Sequence, residues 1–284
     1  MPHGKCKLCW EDRDLQESHL LPAGVYKLCR SADAEVPDPL GIRNDPKTKS
    51  LRVFQSSRQI TGYVLCSPCE QLLNAKGEAW VLPQLSTLSE GFPFYEKLTA
   101  IKPAVVDTEV SAYEGVKVPD IRIDSLVHFG MGIFWKAAVH EWQIGYGTLN
   151  LEFGPYRDQI RSFLLGGPFP KHASLVVNVV PPTLPTMSTV LPYRRTGVKI
   201  PFYSFYVPGI EFLMALSKTM PDYFRSMSVA SNPLQPIMVG AFSAQFIGVK
   251  FAEALQKGHV PAKLAERLQR GREKRKREQE TASG

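Results

Sequence analysis

Four of the five cysteines fall into two short pairs, Cys6-Lys7-Leu8-Cys9 and Cys66-Ser67-Pro68-Cys69. A C-x-x-C turn aims two soft thiolates at one point. Two such turns together offer a tetrahedral four-sulfur shell with no open position, the pattern of a structural Zn²⁺ site rather than a catalytic one. A metal held this way supplies folding free energy to a small polar module that lacks a large core. The same residues admit two other readings, four ordinary buried thiols or one redox pair. Cys29, left over, reads as a small core residue.

The segment between the knuckles contains Glu17-Ser18-His19-Leu20-Leu21-Pro22, and the second knuckle runs directly into Glu70-Gln71-Leu72-Leu73-Asn74. The order Cys6-x-x-Cys9, Ser18-His19-x-x-Pro22, Cys66-x-x-Cys69-Glu70 resembles the HNH, or ββα-metal, nuclease superfamily over residues 5–78. Further stretches resemble a group of bacterial proteins in which an HNH-like head precedes a long accessory region. They are Arg58-Gln59 through Cys66, Gly77–Trp80, Phe134–Ala138 and Gly154–Gly166.

The resemblance implies a metal-dependent endonuclease that hydrolyses phosphodiesters of DNA. His19 matches the general base that takes a proton from the attacking water. Mg²⁺ or Mn²⁺ would stabilise the charge developing at phosphorus and the leaving oxygen. Ser18 stands where the family commonly has a ligating Asp or His, and Glu17, its neighbour, points to the opposite face of a strand. Glu70 stands where the family commonly has His, and offers a hard oxygen ligand. Asn74, four residues on, shares a helix face with Glu70. Arg58 and Gln59 are candidates to orient His19 or hold the scissile phosphate. Defence against foreign DNA, with a regulatory protein partner or self-association as a trigger, follows by association with similar proteins. The alternative is a non-catalytic zinc-finger module that binds nucleic acid or a protein partner.

These residues need elements to hold them. The expected organisation is α+β: a zinc-bound ββα head over 1–82, a proline-bearing linker over 83–119, a mixed accessory domain over 120–260 and a basic helical tail over 261–284. Apolar residues from Ile123 to Trp142 recur at steps of three and four, which predicts an amphipathic helix. His128 and His140 read as ordinary residues of that helix, since no His-Glu-x-x-His is present. Tyr156–Leu165 predicts a second helix stopped by Gly166-Gly167-Pro168. Leu175–Val180 and Lys199–Val207 predict strands, and Gly209–Lys218 and Phe246–Gln256 predict helices. The aromatics and cations of Tyr193-Arg194-Arg195 and Phe202–Tyr206 fit either a base-stacking surface or a core strand.

Composition narrows the classes. With 284 residues, 44% hydrophobic and 21% charged, the chain can bury a sizeable core, and wholesale disorder is excluded. Five cysteines are too few for a disulfide-dense secreted scaffold. No apolar signal core opens the sequence, and the apolar stretch Ile237–Val249 is too short to span a bilayer, so a cytoplasmic protein without a membrane partner is expected. The net charge of +7 is concentrated: Lys263–Glu280 holds eight Lys or Arg against four Glu, a net of +4. Such a tail suits phosphate contacts, or is a solvated helix with no specific partner.

Overall fold

The computed structural model describes the chain except for residues 31–37, 39, 45–50, 57, 88–90, 145–146, 184–187, 198, 242–248, 250–251, 254–255, 258–259 and 283–284. Its architecture is α+β. The head opens with β1 (His3–Lys5), β2 (Asp12–His19) and a short α1 (Ala23–Leu28), then a hairpin of β3 (Leu40–Asn44) and β4 (Leu51–Gln55). Next come β5 (Thr61–Cys66) and α2 (Ser67–Leu73), which continues through a π-helical turn, Asn74–Glu78, into α3 (Ala79–Val81). Strands β1, β2 and β5 form one antiparallel sheet, with Leu15 opposite Cys66 and His19 opposite Thr61. Pro68, within the first turn of α2, lacks the N–H that a helix start leaves unpaired, so it begins the helix at no cost.

The segment expected as a linker, 83–119, holds structure of its own. It contains α4 (Pro93–Thr99), β6 (Val105–Val106) and β7 (Val110–Glu114). Phe92, Phe94, Leu98 and Tyr113 in it are buried.

Beyond it lie α5 (Ile123–Val139), the small ladder of β8 (Trp142–Gln143) with β9 (Thr148–Leu149), and α6 (Tyr156–Leu164). Strands β10 (Ala173–Val179), β11 (Val190–Arg194), β12 (Phe202–Val207) and β13 (Ile210–Leu216) follow, then α7 (Asp222–Ser226), β14 (Pro236–Gly240) and α8 (Ala262–Ala282). A seven-stranded sheet has the order β11-β12-β13-β10-β14-β7-β6, antiparallel except where β10 meets β14.

Both faces of this sheet are covered. Along β10, Leu175, Val177 and Val179 face the main core while Val176 joins a second cluster with Phe202, Leu213 and Phe224. Helix α5 packs on the first face, with Phe134 and Phe205 rings 4.8 Å apart and Phe129 and Phe212 5.6 Å apart. Its other side meets the π-helical turn, α3 and α6. One cluster of buried residues therefore runs from Cys6 in the head to Val239 in the sheet.

Two helical expectations are corrected. Gly209–Lys218 is not a helix: Ile210–Leu216 is the strand β13, buried along its whole length between β10 and β12. A strand covered on both faces shows no alternation, and Leu, Met, Ala and Glu are good helix formers, so local preference points the wrong way. The turn decides instead, because Gly209 has φ +83° and closes a Pro208-Gly209 hairpin between β12 and β13. Helix α5 exists where expected, but it is not amphipathic. Every residue from Ser125 to Ala138 is buried, as befits the middle layer of the molecule. His140 lies beyond the helix end, in extended backbone.

The expected helices at Tyr156–Leu165 and in the basic tail are present, as are the strands at Leu175–Val180 and Lys199–Val207. The helix expected over Phe246–Gln256 falls largely outside the described residues. Among the described residues no helix is long and apolar enough to cross a membrane.

His128, in the middle of α5, gives this core a titratable element. It is 4% exposed, with Nε2 3.2 Å from the Leu164 carbonyl oxygen and Nδ1 buried without a partner. Burial holds its pKa below the ordinary 6.5, and the nearby Lys76 adds to the effect. The unfolded chain then binds this proton more readily than the folded one. The stability tied to neutral His128 is intact above pH ~6.5 and falls as pH drops from there toward the depressed folded value. His128→Gln keeps a donor for Leu164 and cannot titrate, so denaturant melts from pH ~7 to ~5 should show a shallower loss of stability than wild type.

Candidate metal centre and its surroundings

The first knuckle is a tight turn after β1. The Cys6 N–H donates to the Glu11 carbonyl at 2.9 Å, and the Trp10 N–H to the Cys6 carbonyl at 2.9 Å. The second knuckle spans the end of β5 and the first turn of α2, so one thiol comes from a strand and the other from a helix. The Lys7 N–H donates to the Val64 carbonyl at 3.0 Å and ties the two together.

All four sulfurs converge, each within 4.8 Å of the others, and Cys9 and Cys66 Sγ are 3.8 Å apart. Zn–S bonds of about 2.3 Å in a tetrahedron put the sulfurs about 3.8 Å from one another, so the cluster has the right size for such an ion. Cys6, Cys66 and Cys69 are buried and Cys9 half-buried. The Cys66 N–H points at Cys6 Sγ from 3.4 Å, the kind of support that steadies a metal-bound thiolate. Burial pushes the Cys6 thiol up, but N–H groups of Cys9, Cys66 and Leu8 outweigh it, and its pKa is lowered to about 7. Burial raises that of Cys69. The arrangement suits a structural metal such as zinc, with no position left for substrate. Cys29, also half-buried, is held up to about 12 by burial, as an unreactive thiol would be.

His19 closes β2 opposite Thr61 and is half-buried. Residues directly opposite share a face, so His19 lies on the side that carries Glu17 and Thr61, where Thr61 Oγ1 donates to Glu17 Oε1 at 2.9 Å. Ser18 faces the other way. It is 1% exposed, and its Oγ accepts the Leu65 N–H at 3.2 Å. On that inner side His140 Nε2 fills the space a side chain at Gly62 would need, only 2.6 Å from the Cβ position. His19 and His140 are therefore on opposite faces of one strand pair.

Glu70 lies in the first turn of α2, and its Oε1 is buried with no hydrogen-bond partner. Asn74 is exposed at the junction of α2 and the π-helical turn, where its N–H donates to the Glu70 and Gln71 carbonyls. Arg58 is exposed and Gln59 half-buried. Both precede Ile60, whose carbonyl accepts the Leu20 N–H at 3.0 Å, so they sit at the same strand end as His19. Among the described residues, only the four thiols form a group of three or more His, Cys, Asp or Glu able to share an ion.

The sequence reading passed over Lys136. This lysine of α5 is 2% exposed, and its Nζ donates to the His19 carbonyl at 2.9 Å and lies 3.5 Å from Glu78 Oε1. The only local sign of it is a cation in an otherwise apolar run. Glu17 faces away from Ser18, and that same alternation puts it on the side of His19.

Comparison with protein-family models, curated proteins and solved structures finds no match for this chain. The centre is thus defined by its own geometry: a four-cysteine cluster able to hold a metal, set where β5 becomes α2.

Two measurements follow. Elemental analysis of the purified chain should find one tightly held metal, and Cys66→Ser should lose it and melt at a lower temperature, since apparent binding free energies of structural zinc reach about 10–16 kcal/mol. Lys136→Met should keep the metal but lower stability by about 1–3 kcal/mol in a denaturant melt, because it leaves the His19 carbonyl and Glu78 without their donor.

Proposed function

We propose that the chain is a metal-dependent endonuclease acting on DNA, with zinc at Cys6, Cys9, Cys66 and Cys69 as a structural element. The observation that supports this most directly is the order of parts along one strand–helix unit. The paired strands present His19 at one end and Cys66 at the other, and α2 leaves the metal cluster carrying Glu70 with an unpartnered, buried carboxylate oxygen. Such an oxygen is costly to leave without a cation or donor.

In this reading His19 is the general base that takes the proton of the attacking water. Its backbone is fixed by the hydrogen bond from Lys136 to its carbonyl and by pairing with β5. Glu70 and Asn74 would hold Mg²⁺ or Mn²⁺, which would offset charge on the leaving oxygen. Arg58 and Gln59, at the strand end beside His19, hold the scissile phosphate. The accessory region and the basic helix α8 contribute substrate contacts, and a protein partner or a second copy restrains the activity.

A second reading has its own observation. The Ser18 hydroxyl, at the position where a further ligand would be expected, is committed to the Leu65 N–H inside the strand pair. A chain that lacks that ligand serves as a zinc-dependent scaffold binding nucleic acid or a protein without cutting.

His19→Ala separates the two. It should reduce DNA cleavage with Mg²⁺ or Mn²⁺ by about two to four orders of magnitude while leaving metal content and melting close to wild type. Glu70→Ala should be partly rescued by high Mn²⁺, and His19→Ala should not. A wild-type chain that binds DNA but cuts none with any divalent ion favours the scaffold.

A further inference from the structure

Trp10, the residue after the first knuckle, has a backbone that suits glycine. Its φ is +67°, in the left-handed region where a bulky side chain is strained, yet its indole is 51% exposed. Glycine would make the same turn without strain, but would give up the ring against which Arg161 packs. Strain kept at an exposed aromatic points to a use for that aromatic.

The ring forms one wall of a cleft between the knuckle, α5 and α6. The cleft measures about 220 Å³ and is lined by Lys7, Trp10, Trp135, Val139, Arg157, Asp158 and Arg161. The Arg161 guanidinium stands 3.4 Å from the Trp10 ring centroid, and its Nε donates to the Leu8 carbonyl at 2.5 Å. This holds the indole in place. Lys7, Arg157 and Arg161 outnumber the single carboxylate, Asp158, which lies 3.6 Å from Arg157. An ordered, exposed aromatic ring and an excess of cations call for a ligand that is planar and anionic. The volume is below the range of about 300–1,000 Å³ for drug-sized ligands and suits a phosphate group, with the rest of the ligand outside it against the exposed indole.

We propose that this cleft binds a nucleoside phosphate, free or at the end of a nucleic-acid strand. The base packs against the exposed part of the Trp10 indole outside the cleft, and the phosphate lies among Lys7, Arg157 and Arg161. The inference deepens the nucleic-acid reading above, but it does not depend on His19 catalysis.

The test uses the full chain with its metal. Adenosine 5′-monophosphate and single-stranded oligothymidylate, with and without a 5′-phosphate, are titrated by calorimetry for wild type and variants, with tryptophan fluorescence followed in parallel for wild type. Wild type should show saturable quenching. Trp10→Gly, which fits the positive φ, should keep metal content and melting temperature while binding weakens about tenfold or more. Arg157→Ala, away from the knuckle, should weaken binding and reduce its salt dependence. Binding of the mononucleotide alone assigns the cleft to free nucleotides; preference for the 5′-phosphorylated strand assigns it to strand ends.

The proposal is overturned if no probe quenches wild type saturably, or if Trp10→Gly and Arg157→Ala bind as wild type does. If those variants bind and cut DNA like wild type, this cleft is excluded and the nuclease stands. If nucleotide binds through Trp10 but no DNA is cut with any divalent ion, the nuclease reading falls and the cleft stands.

Discussion

The head depends on bringing four thiols together from two positions about sixty residues apart in the chain. Closing a loop of that length costs conformational entropy, which the β2–β5 ladder offsets only in part. Its sheet has three strands, one of only three residues, and its longest helix, α2, has seven residues before the π-helical turn. A metal that binds both knuckles closes the loop and fixes how β5 runs into α2. That junction sets the direction in which α2, which carries Glu70, leaves the strand pair, at the end opposite His19.

The head is not self-sufficient, and α5 is the reason. A seventeen-residue helix buried on all sides must be supplied with neighbours on all sides. The large sheet covers one side, and the π-helical turn, α3 and α6 cover the other. Lys136 shows what this arrangement costs and what it secures. A buried ammonium is stable only if its donors are used, and here they reach the His19 carbonyl and Glu78. Because the partners come from the strand pair and from the π-helical turn, the lysine fixes the register between the head and the middle layer in a way apolar packing alone would not.

What could be read from the sequence divides along physical lines. The knuckles are legible because metal ligation is written in short spacings: Cys6 to Cys9 and Cys66 to Cys69 each fit one turn. Helices α6 and α8 are legible because their patterns are local; α5 lies where expected although burial on all sides leaves it no amphipathic stripe. Strand β13 is not, since its pairing with β10 and β12 is what makes it a strand, and Leu, Met and Ala carry no sign of that. Lys136 with His19, and Arg161 with Trp10, join residues more than a hundred apart. No local pattern announces such pairs. His19, Glu70 and Asn74 were nominated through resemblance, and their separate settings appear only in three dimensions: an exposed strand face, a buried carboxylate oxygen and an open helix junction.

The charge is likewise more ordered in space than in sequence. Helix α8 is strongly basic and would be expected to stand in solvent, but its first turns are seated. Leu264 is buried, and Arg267 Nη1 donates to Gln55 Oε1 at 2.8 Å. Gln55 ends β4, three residues before Arg58. The helix is thus tied to the strand that leads to Arg58, Gln59 and the His19 end of the paired strands. A second group of cations, Lys7, Arg157 and Arg161, gathers beside the first knuckle. Seated cations lose less freedom on meeting a phosphate backbone than a free tail does, so the same net charge gives tighter and more oriented binding. Part of the +7 excess is thus held in place by the fold rather than spread along a free tail.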